Sequence, residues 1–172
     1  YQRFLHGQRS LYDLSEEIKA TVEKLENGTG LAGKHADVKA VGVSRPGRTF
    51  KDIQGRDGQA AIEALSSREI VNGVGNDAYE PQRSLTRAEF AAIVVRALGL
   101  TPAVDTIFAD VPADSWYAAY VGAAYRYGIV SGTSAATFTP TATITRQEAA
   151  VMTARAARLC GLANDMNEPA IE

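Results

Sequence analysis

Apolar residues recur at helical spacing in two stretches of this chain that copy one another. Between 87 and 98, Phe90, Ile93, Val94 and Ala97 fall on one face of a predicted helix, with Leu98 beside it. An Ala-rich run over 146–159 takes the same form. Each long helix follows a shorter one, predicted over 60–68 with Ile62 and Leu65 inward, and again over 117–127. Ile70-Val71-Asn72-Gly73 and Ile129-Val130-Ser131-Gly132 leave the short helices, and Tyr79-Glu80-Pro81 and Phe138-Thr139-Pro140 read as extended segments with turns. One more amphipathic helix is predicted near the start, from Leu14, Ile18, Val22 and Leu25, with a capping box at Asp13-Leu14-Ser15-Glu16 and a stop at Asn27-Gly28. Residues 28–48 are rich in Gly and charge and read as loop or weak strand.

The copying is an internal repeat. Thr86-Arg87-Ala88-Glu89 returns 59 residues on as Thr145-Arg146-Gln147-Glu148. Ile70/Ile129, Val71/Val130, Gly73/Gly132, Pro81/Pro140 and Arg96/Arg155 keep that offset, and Phe50-Lys51-Asp52-Ile53 matches Phe108-Ala109-Asp110-Val111 with a slip of one. The organisation expected is a non-repeat segment over 1–49, a first unit over 50–102, a second over 108–162, and a tail over 163–172. Units this small bury an apolar face only by packing on one another.

Thr-x-x-Glu before an apolar helix is a capping box: the hydroxyl accepts from the N3 backbone N–H, and the carboxylate accepts from the N-cap N–H. Folding alone therefore explains Thr86, Glu89, Thr145 and Glu148. The arginines do not follow from it. A cation at the first helical position opposes the positive end of the helix dipole. Either Arg87 and Arg146 pair with a nearby acid such as Asp52 or Asp110, or they and the free helix N–H groups receive an external carboxylate or phosphate. Gly73 and Gly132 likewise allow two readings, a helix-exit turn with positive φ or a place where a ligand approaches the backbone. Trp116, the sole tryptophan, is either a core residue or a surface on which a sugar ring stacks. The first unit has Gly55-Arg56-Asp57-Gly58 where the second has this aromatic.

A net charge of −2 argues against generic nucleic-acid binding, which needs a basic surface. No apolar run reaches the roughly 20 residues that span a bilayer. No secretory leader is visible at Tyr1, which says little about compartment. His6 and His35 lie far apart with no acidic or Cys cluster at ligand spacing, so no metal and no cofactor are assigned. Cys160 has no partner for an internal disulfide and reads as a small buried hydrophobe. No Ser-His-Asp or Cys-His pairing stands out, and no carboxylate pair sits in an apolar setting, so no catalytic residue is assigned.

Phe-x-Asp-Val, Trp-Tyr, Gly-Ile-Val-Ser-Gly, Phe-x-Pro and Ile-Thr-Arg-x-Glu, followed by an Ala-rich helix, closely resemble the S-layer homology module. The second unit resembles it along its whole length. The first does so at Phe-x-Asp-Ile, Ile-Val-x-Gly, Tyr-x-Pro and Leu-Thr-Arg-Ala-Glu-Phe. The resemblance implies a mainly α fold of tandem helix-loop-helix repeats within a pseudo-threefold bundle. It implies a secreted protein, mostly of Gram-positive bacteria, held non-covalently on the cell wall by a secondary cell-wall polysaccharide, often through pyruvylated N-acetylmannosamine. The family's grooves between modules carry over onto Arg87, Arg146, Asp52, Asp110, Trp116, Gly73 and Gly132 as ligand-binding residues. The missing aromatic of the first unit implies a weakened groove. The tail implies a linker towards a further module, and an incomplete threefold implies an open apolar face that would drive self-association. The alternative is a protein–protein assembly module without a glycan site.

Replacing a capping Thr isolates its structural role. Thr145→Ala is expected to lower stability by roughly 1 kcal/mol, read as a shift in the denaturant midpoint at unchanged slope.

Overall fold

The computed structural model describes residues 34–105 and 107–162. The helix expected around Leu14–Leu25 and the tail over 163–172 lie outside the described residues. Four helices follow in order: α1 (Gln59–Ser66), α2 (Arg87–Ala97), α3 (Ala118–Arg126) and α4 (Arg146–Leu159). Among the described residues there is no strand beyond two isolated bridges, Gly75 with Ala78 and Thr86 with Thr143. The chain is mainly α, two helix-loop-helix copies in tandem.

Both long helices begin where the capping boxes put them. The Thr86 hydroxyl accepts from the Glu89 N–H, and the Glu89 carboxylate accepts from the Thr86 N–H; Thr145 and Glu148 repeat this at α4. The helix–helix contacts among the described residues join α2 to α3 and α2 to α4. The first copy's long helix is thus the hub, and most of the core belongs to both copies at once, with Ala88, Ala91, Val95 and Leu98 packed with Val121, Ala124, Ile129, Phe138 and Met152.

The buried faces differ from those expected. In α2 the buried apolar residues are Ala88, Ala91, Ala92, Val94 and Val95, followed by Leu98, so Val94 and Leu98 lie inward as expected, whereas Phe90 and Ile93 are half-buried and Ala97 is exposed. Ala118, Val121, Ala123 and Ala124 of α3 share that core, while Gly122 faces the linker, where a Cβ would stand 2.2 Å from the Ala103 carbonyl oxygen. Small residues on both helices let the backbones approach closely, and close approach outranks hydrophobic size in choosing the inward face. In α1, Leu65 is exposed and Ser66 is sealed. That helix meets no other described helix, so it has no deep apolar partner to turn its largest residue inward.

Loops complete the packing. Segment 34–49 contains no strand, but Val38 is in the core, the Lys39 N–H donates to the Leu98 carbonyl at 2.9 Å, and the His35 N–H donates to the Leu159 carbonyl at 2.8 Å. It thereby ties the ends of α2 and α4 together. The Tyr127 hydroxyl donates to Asp37 at 2.7 Å, which raises the tyrosine's pKa. The linker lies across α3, where the Ala103 N–H donates to the Ala119 carbonyl and Asp105 pairs with Arg126. Cys160 is half-buried at the core's margin, and burial raises its pKa.

The backbone repeats down to its unusual torsions. Glu69 and Gly128 leave the short helices at φ 56° and 66°, and Glu80 and Thr139 turn the extended segments at 59° and 53°. The positive φ at the helix exit thus belongs to these residues and not to Gly73 or Gly132. Those two glycines are required by space. A Cβ on Gly73 would stand 2.3 Å from the Ala78 carbonyl oxygen and 2.4 Å from the Phe50 ring; one on Gly132 would meet Ser134 O at 2.2 Å and Phe108 at 2.8 Å. Each motif glycine is where the loop closes over its copy's motif phenylalanine. Gly132→Ala should therefore destabilise the chain by about 1–3 kcal/mol, measured by denaturant unfolding, even though its φ would suit alanine.

Candidate functional site

Two equivalent cavities lie beside the Ile-Val-x-Gly loops. The first, about 240 Å³, is bounded by the 72–74 loop, Arg83, Leu85, Glu89, Ile93 and Arg96 of the first copy and by Trp116 of the second. The second, about 190 Å³, is bounded by the 130–133 loop, Glu148, Met152 and Arg155 of the second copy and by Arg87 of the first. The repeat offset maps Gly73 onto Gly132, Glu89 onto Glu148, Ile93 onto Met152 and Arg96 onto Arg155. One design therefore occurs twice.

What each copy lends the other differs. Trp116 sits just before α3 and is 57% exposed, edge-on to Tyr117 at 5.5 Å between ring centroids. Its broad ring closes the first cavity opposite Gly73. Arg96 reaches over the Tyr120 ring, 4.5 Å from its centroid, so the second copy's aromatics also orient a first-copy guanidinium at this cavity. Trp116 is thus a surface residue and not a core one.

At the second cavity the lent group is a cation. Arg87 opens α2 yet is only 5% exposed. Its Nε donates to the Phe138 carbonyl at 2.8 Å, its guanidinium lies 4.7 Å from the Phe138 ring centroid, and its other nitrogen pairs with Glu148. The Arg87 and Ala88 N–H groups donate to the carbonyls of Ala142 and Pro140 at 2.9 and 3.0 Å. The acid that offsets Arg87 is therefore neither Asp52 nor Asp110 but the capping-box glutamate of the other copy. Arg146, the equivalent residue at α4, is exposed and borders neither cavity. Among the described residues it forms no ion pair.

Asp52 and Asp110 have a shared structural task. The Asp52 carboxylate accepts from the Tyr79 and Glu80 N–H groups at 2.9 and 2.7 Å, and Asp110 accepts from Phe138 and Thr139 at 2.8 and 2.7 Å. Each clamps the left-handed residue of its turn, whose conformation alone costs on the order of 1 kcal/mol. The two backbone donors, Tyr79 first, hold Asp52 below its ordinary pKa of 3.8.

The glutamates also titrate low. Burial works to raise Glu89, but Arg83, bonded at 2.7 and 3.2 Å, together with the Thr86 N–H, brings it below its ordinary 4.5. For Glu148 the Thr145 N–H lowers it most, burial opposes, and Arg87 adds to the lowering. The structure thus brings Gly73 to Trp116 and Gly132 to Arg87, and leaves Arg146, Asp52 and Asp110 outside both cavities. The residues that sequence reasoning had not put in the site are Arg83, Arg96 and Arg155. Identity of Arg96 with Arg155 across the repeat was the signal available for two of them. Among the described residues no three His, Cys, Asp or Glu side chains converge on a metal position, and no helix is long and apolar enough to cross a membrane.

A helix hub shared by tandem copies, with inter-copy cavities at the Ile-Val-x-Gly loops, defines a tandem-repeat module. The S-layer homology domain matches at residues 49–91 and 107–150, about half of the chain, and the chain belongs to that family. It is 40% identical over 111 residues to an endo-1,4-beta-xylanase A of Thermoanaerobacterium saccharolyticum, covering 64% of this chain and 10% of that enzyme. It is 37% identical over 101 residues to a surface-layer 125 kDa protein of Lysinibacillus sphaericus, covering 59% of this chain and 8% of the relative. A middle cell wall protein of Brevibacillus brevis is 34% identical over 105 residues, covering 58% of this chain and 10% of that protein. The chain spans about a tenth of the length of these relatives, and the proteins named as enzymes match it only in the repeat pair.

The two glutamates differ in what their loss would strand. Glu148→Gln keeps the cap but leaves Arg87 buried without its counter-charge, and is expected to lower stability by about 1–3 kcal/mol. Glu89→Gln leaves the more exposed Arg83, 37% open to solvent, with Glu80 still 3.7 Å away, and should lower it by less than about 1 kcal/mol. Because the folded chain binds protons at these carboxyls less readily than the unfolded one, stability should be full above their ordinary 4.5 and fall as pH drops below it. Glu148→Gln should flatten that fall, checked by urea unfolding between pH 3 and 7, a range of roughly two units around the carboxyl value.

Proposed function

We propose that this repeat pair anchors a secreted or surface protein to the bacterial cell wall by binding an anionic secondary cell-wall polysaccharide. The observation that carries the reading is the exposed Trp116 of one copy set opposite Gly73 of the other, with Arg96 held at the same cavity. A rigid aromatic face beside a side-chain-free loop position and a guanidinium form the kind of site that takes a sugar ring bearing a carboxylate. The surface-layer and cell wall proteins among the relatives support the location.

The preference for a carboxylate has support within the fold. At the start of α2 the helix N–H groups and Arg87 already receive two carbonyls and the Glu148 carboxylate. The equivalent start of α4, with an exposed Arg146, offers the same donors outward. We therefore propose Arg146 as a separate anion-receiving position at the start of α4, outside the cavity of Trp116 and Gly73, and assign Asp52, Asp110 and Gly132 to shaping the loops of their own copies. The polymer unit proposed is pyruvylated N-acetylmannosamine. A second reading, assembly of repeats with no glycan, is favoured by the burial of Arg87 between the copies.

Calorimetric titration with synthetic pyruvylated N-acetylmannosamine, against the non-pyruvylated sugar, separates the two. Binding is expected to require the ketal carboxylate and to weaken by about 1–2 kcal/mol in Trp116→Ala. It should weaken by about 2–4 kcal/mol on replacing the arginine that receives the carboxylate, tested as Arg96→Ala and Arg146→Ala. No binding of either sugar by a folded sample would overturn the glycan reading in favour of assembly.

A further inference from the structure

A third cavity lies on the far side of Gly73 and is the largest of the three, about 750 Å³. Gly73 borders both this cavity and the one closed by Trp116. One wall is the approach to the first copy's motif phenylalanine and carries Arg48 and Lys51. The opposite wall is the tight turn Gly75–Ala78, in which Asn76 and Asp77 both take left-handed torsions, φ 51° and 55°.

Its chemistry is that of a receptor for oxygen anions. Arg48 is half-buried, with its guanidinium 5.4 Å from the centroid of the Phe50 ring. Its Nε is sealed from solvent and donates to no acceptor. Among the described residues Arg48 also forms no ion pair, and a half-buried guanidinium without a counter-charge favours an anion beside it. Lys51 adds a second, exposed cation, and its backbone N–H is bonded to the Asp77 carbonyl at 3.0 Å, which fixes one wall against the other. The Asp77 carboxylate also borders the cavity and opposes an anion, leaving two cations against one acid.

The second copy is not built this way. Where the first has Arg48, Lys51 and Gln54 around its motif phenylalanine, the second has Thr106, Ala109 and Pro112. The cations therefore do not belong to the repeat's folding pattern, since the other copy folds without them. They also stand in the copy that lacks its own Trp.

We propose that the cavity between Arg48 and the Gly75–Ala78 turn binds a second anionic substituent of the wall polymer, a carboxylate or a phosphate, on a residue next to the one held against Trp116. The proposal rests on the glycan reading of the Trp116 cavity, because Gly73 makes the two cavities neighbours. It assigns the first copy a charge-based subsite in place of a stacking one.

Two experiments test it. Isotope-labelled chain is titrated with sodium glucuronate, with glycerol 3-phosphate, and with neutral N-acetylmannosamine, and followed by amide chemical shifts. Saturable shifts at Lys51, Asn76 and Asp77 with one or both anions, absent with the neutral sugar and lost in Arg48→Gln, are expected; the stronger anion identifies the substituent. Lys51→Gln, an exposed change that leaves the Phe50 stack intact, should weaken the effect roughly threefold to tenfold if Arg48→Gln proves poorly folded. No shifts at these amides, or shifts that survive both substitutions, would overturn the subsite. The same variants and Trp116→Ala are then compared for binding to purified wall polysaccharide. Loss in Trp116→Ala with wild-type binding in Arg48→Gln and Lys51→Gln sinks the subsite and leaves the anchor reading standing. Anion shifts without any polysaccharide binding sink the anchor reading, and with it the polymer as the source of the anion.

Discussion

Burying a guanidinium between two small repeats is the constraint on which this structure turns. A charge removed from water must be met by a counter-charge and by acceptors, or the folded state loses several kcal/mol. Arg87 meets that demand entirely from the other copy, through the Glu148 carboxylate, the Phe138 carbonyl and the Phe138 ring. Its position at the first turn of α2 brings two helix N–H groups to the carbonyls of Pro140 and Ala142 at the same time. The two copies are consequently held at one register, and the alanine face of α2 is delivered against α3. Without that registration the shared core would have no reason to select small residues.

The cavities follow from the same contact. Registering α2 on the second copy puts Trp116 opposite Gly73 and Arg87 opposite Gly132, so each cavity is finished by a side chain its own copy does not own. In both, a carboxylate on the capping box is neutralised, but by a local arginine in one case and by the neighbour's in the other. The second cavity spends its borrowed cation on holding the copies together. In the first, Arg83 holds the glutamate, and Arg96 and the indole line the cavity without taking part in that pair. Loop closure by Asp52 and Asp110 keeps both rims in place without either carboxylate entering a cavity.

How much of this was legible in the chain depends on how far apart the partners lie. The capping boxes were plain because Thr86 and Glu89 are neighbours, and α4 begins and ends where its pattern says. The inward face of α2 was legible only in part: Val94 and Leu98 are buried as expected, but Phe90 and Ile93 look like core until α3 is known to approach with its own alanines. The motif glycines were legible as necessary but for the wrong cause: crowding against Phe50 and Phe108, not torsion, excludes a side chain. Arg87 was legible as an anomaly at a helix start, yet its partner sits 61 residues away and is itself half of a local motif that seemed complete. Trp116 allowed two opposite readings because composition around it cannot tell a rim from a core.

The contact between the copies also has a direction. The first copy contributes a helix start, and the second contributes the carbonyls of its Phe-x-Pro segment and its glutamate; the roles are not exchanged. Such a head-to-tail joint cannot be satisfied by a two-fold axis, in which both partners would have to present the same edge. A stack of units made this way is polar, like a strand with two chemically distinct ends. An elongated partner lying along it would meet different side chains in a different order from one end than from the other.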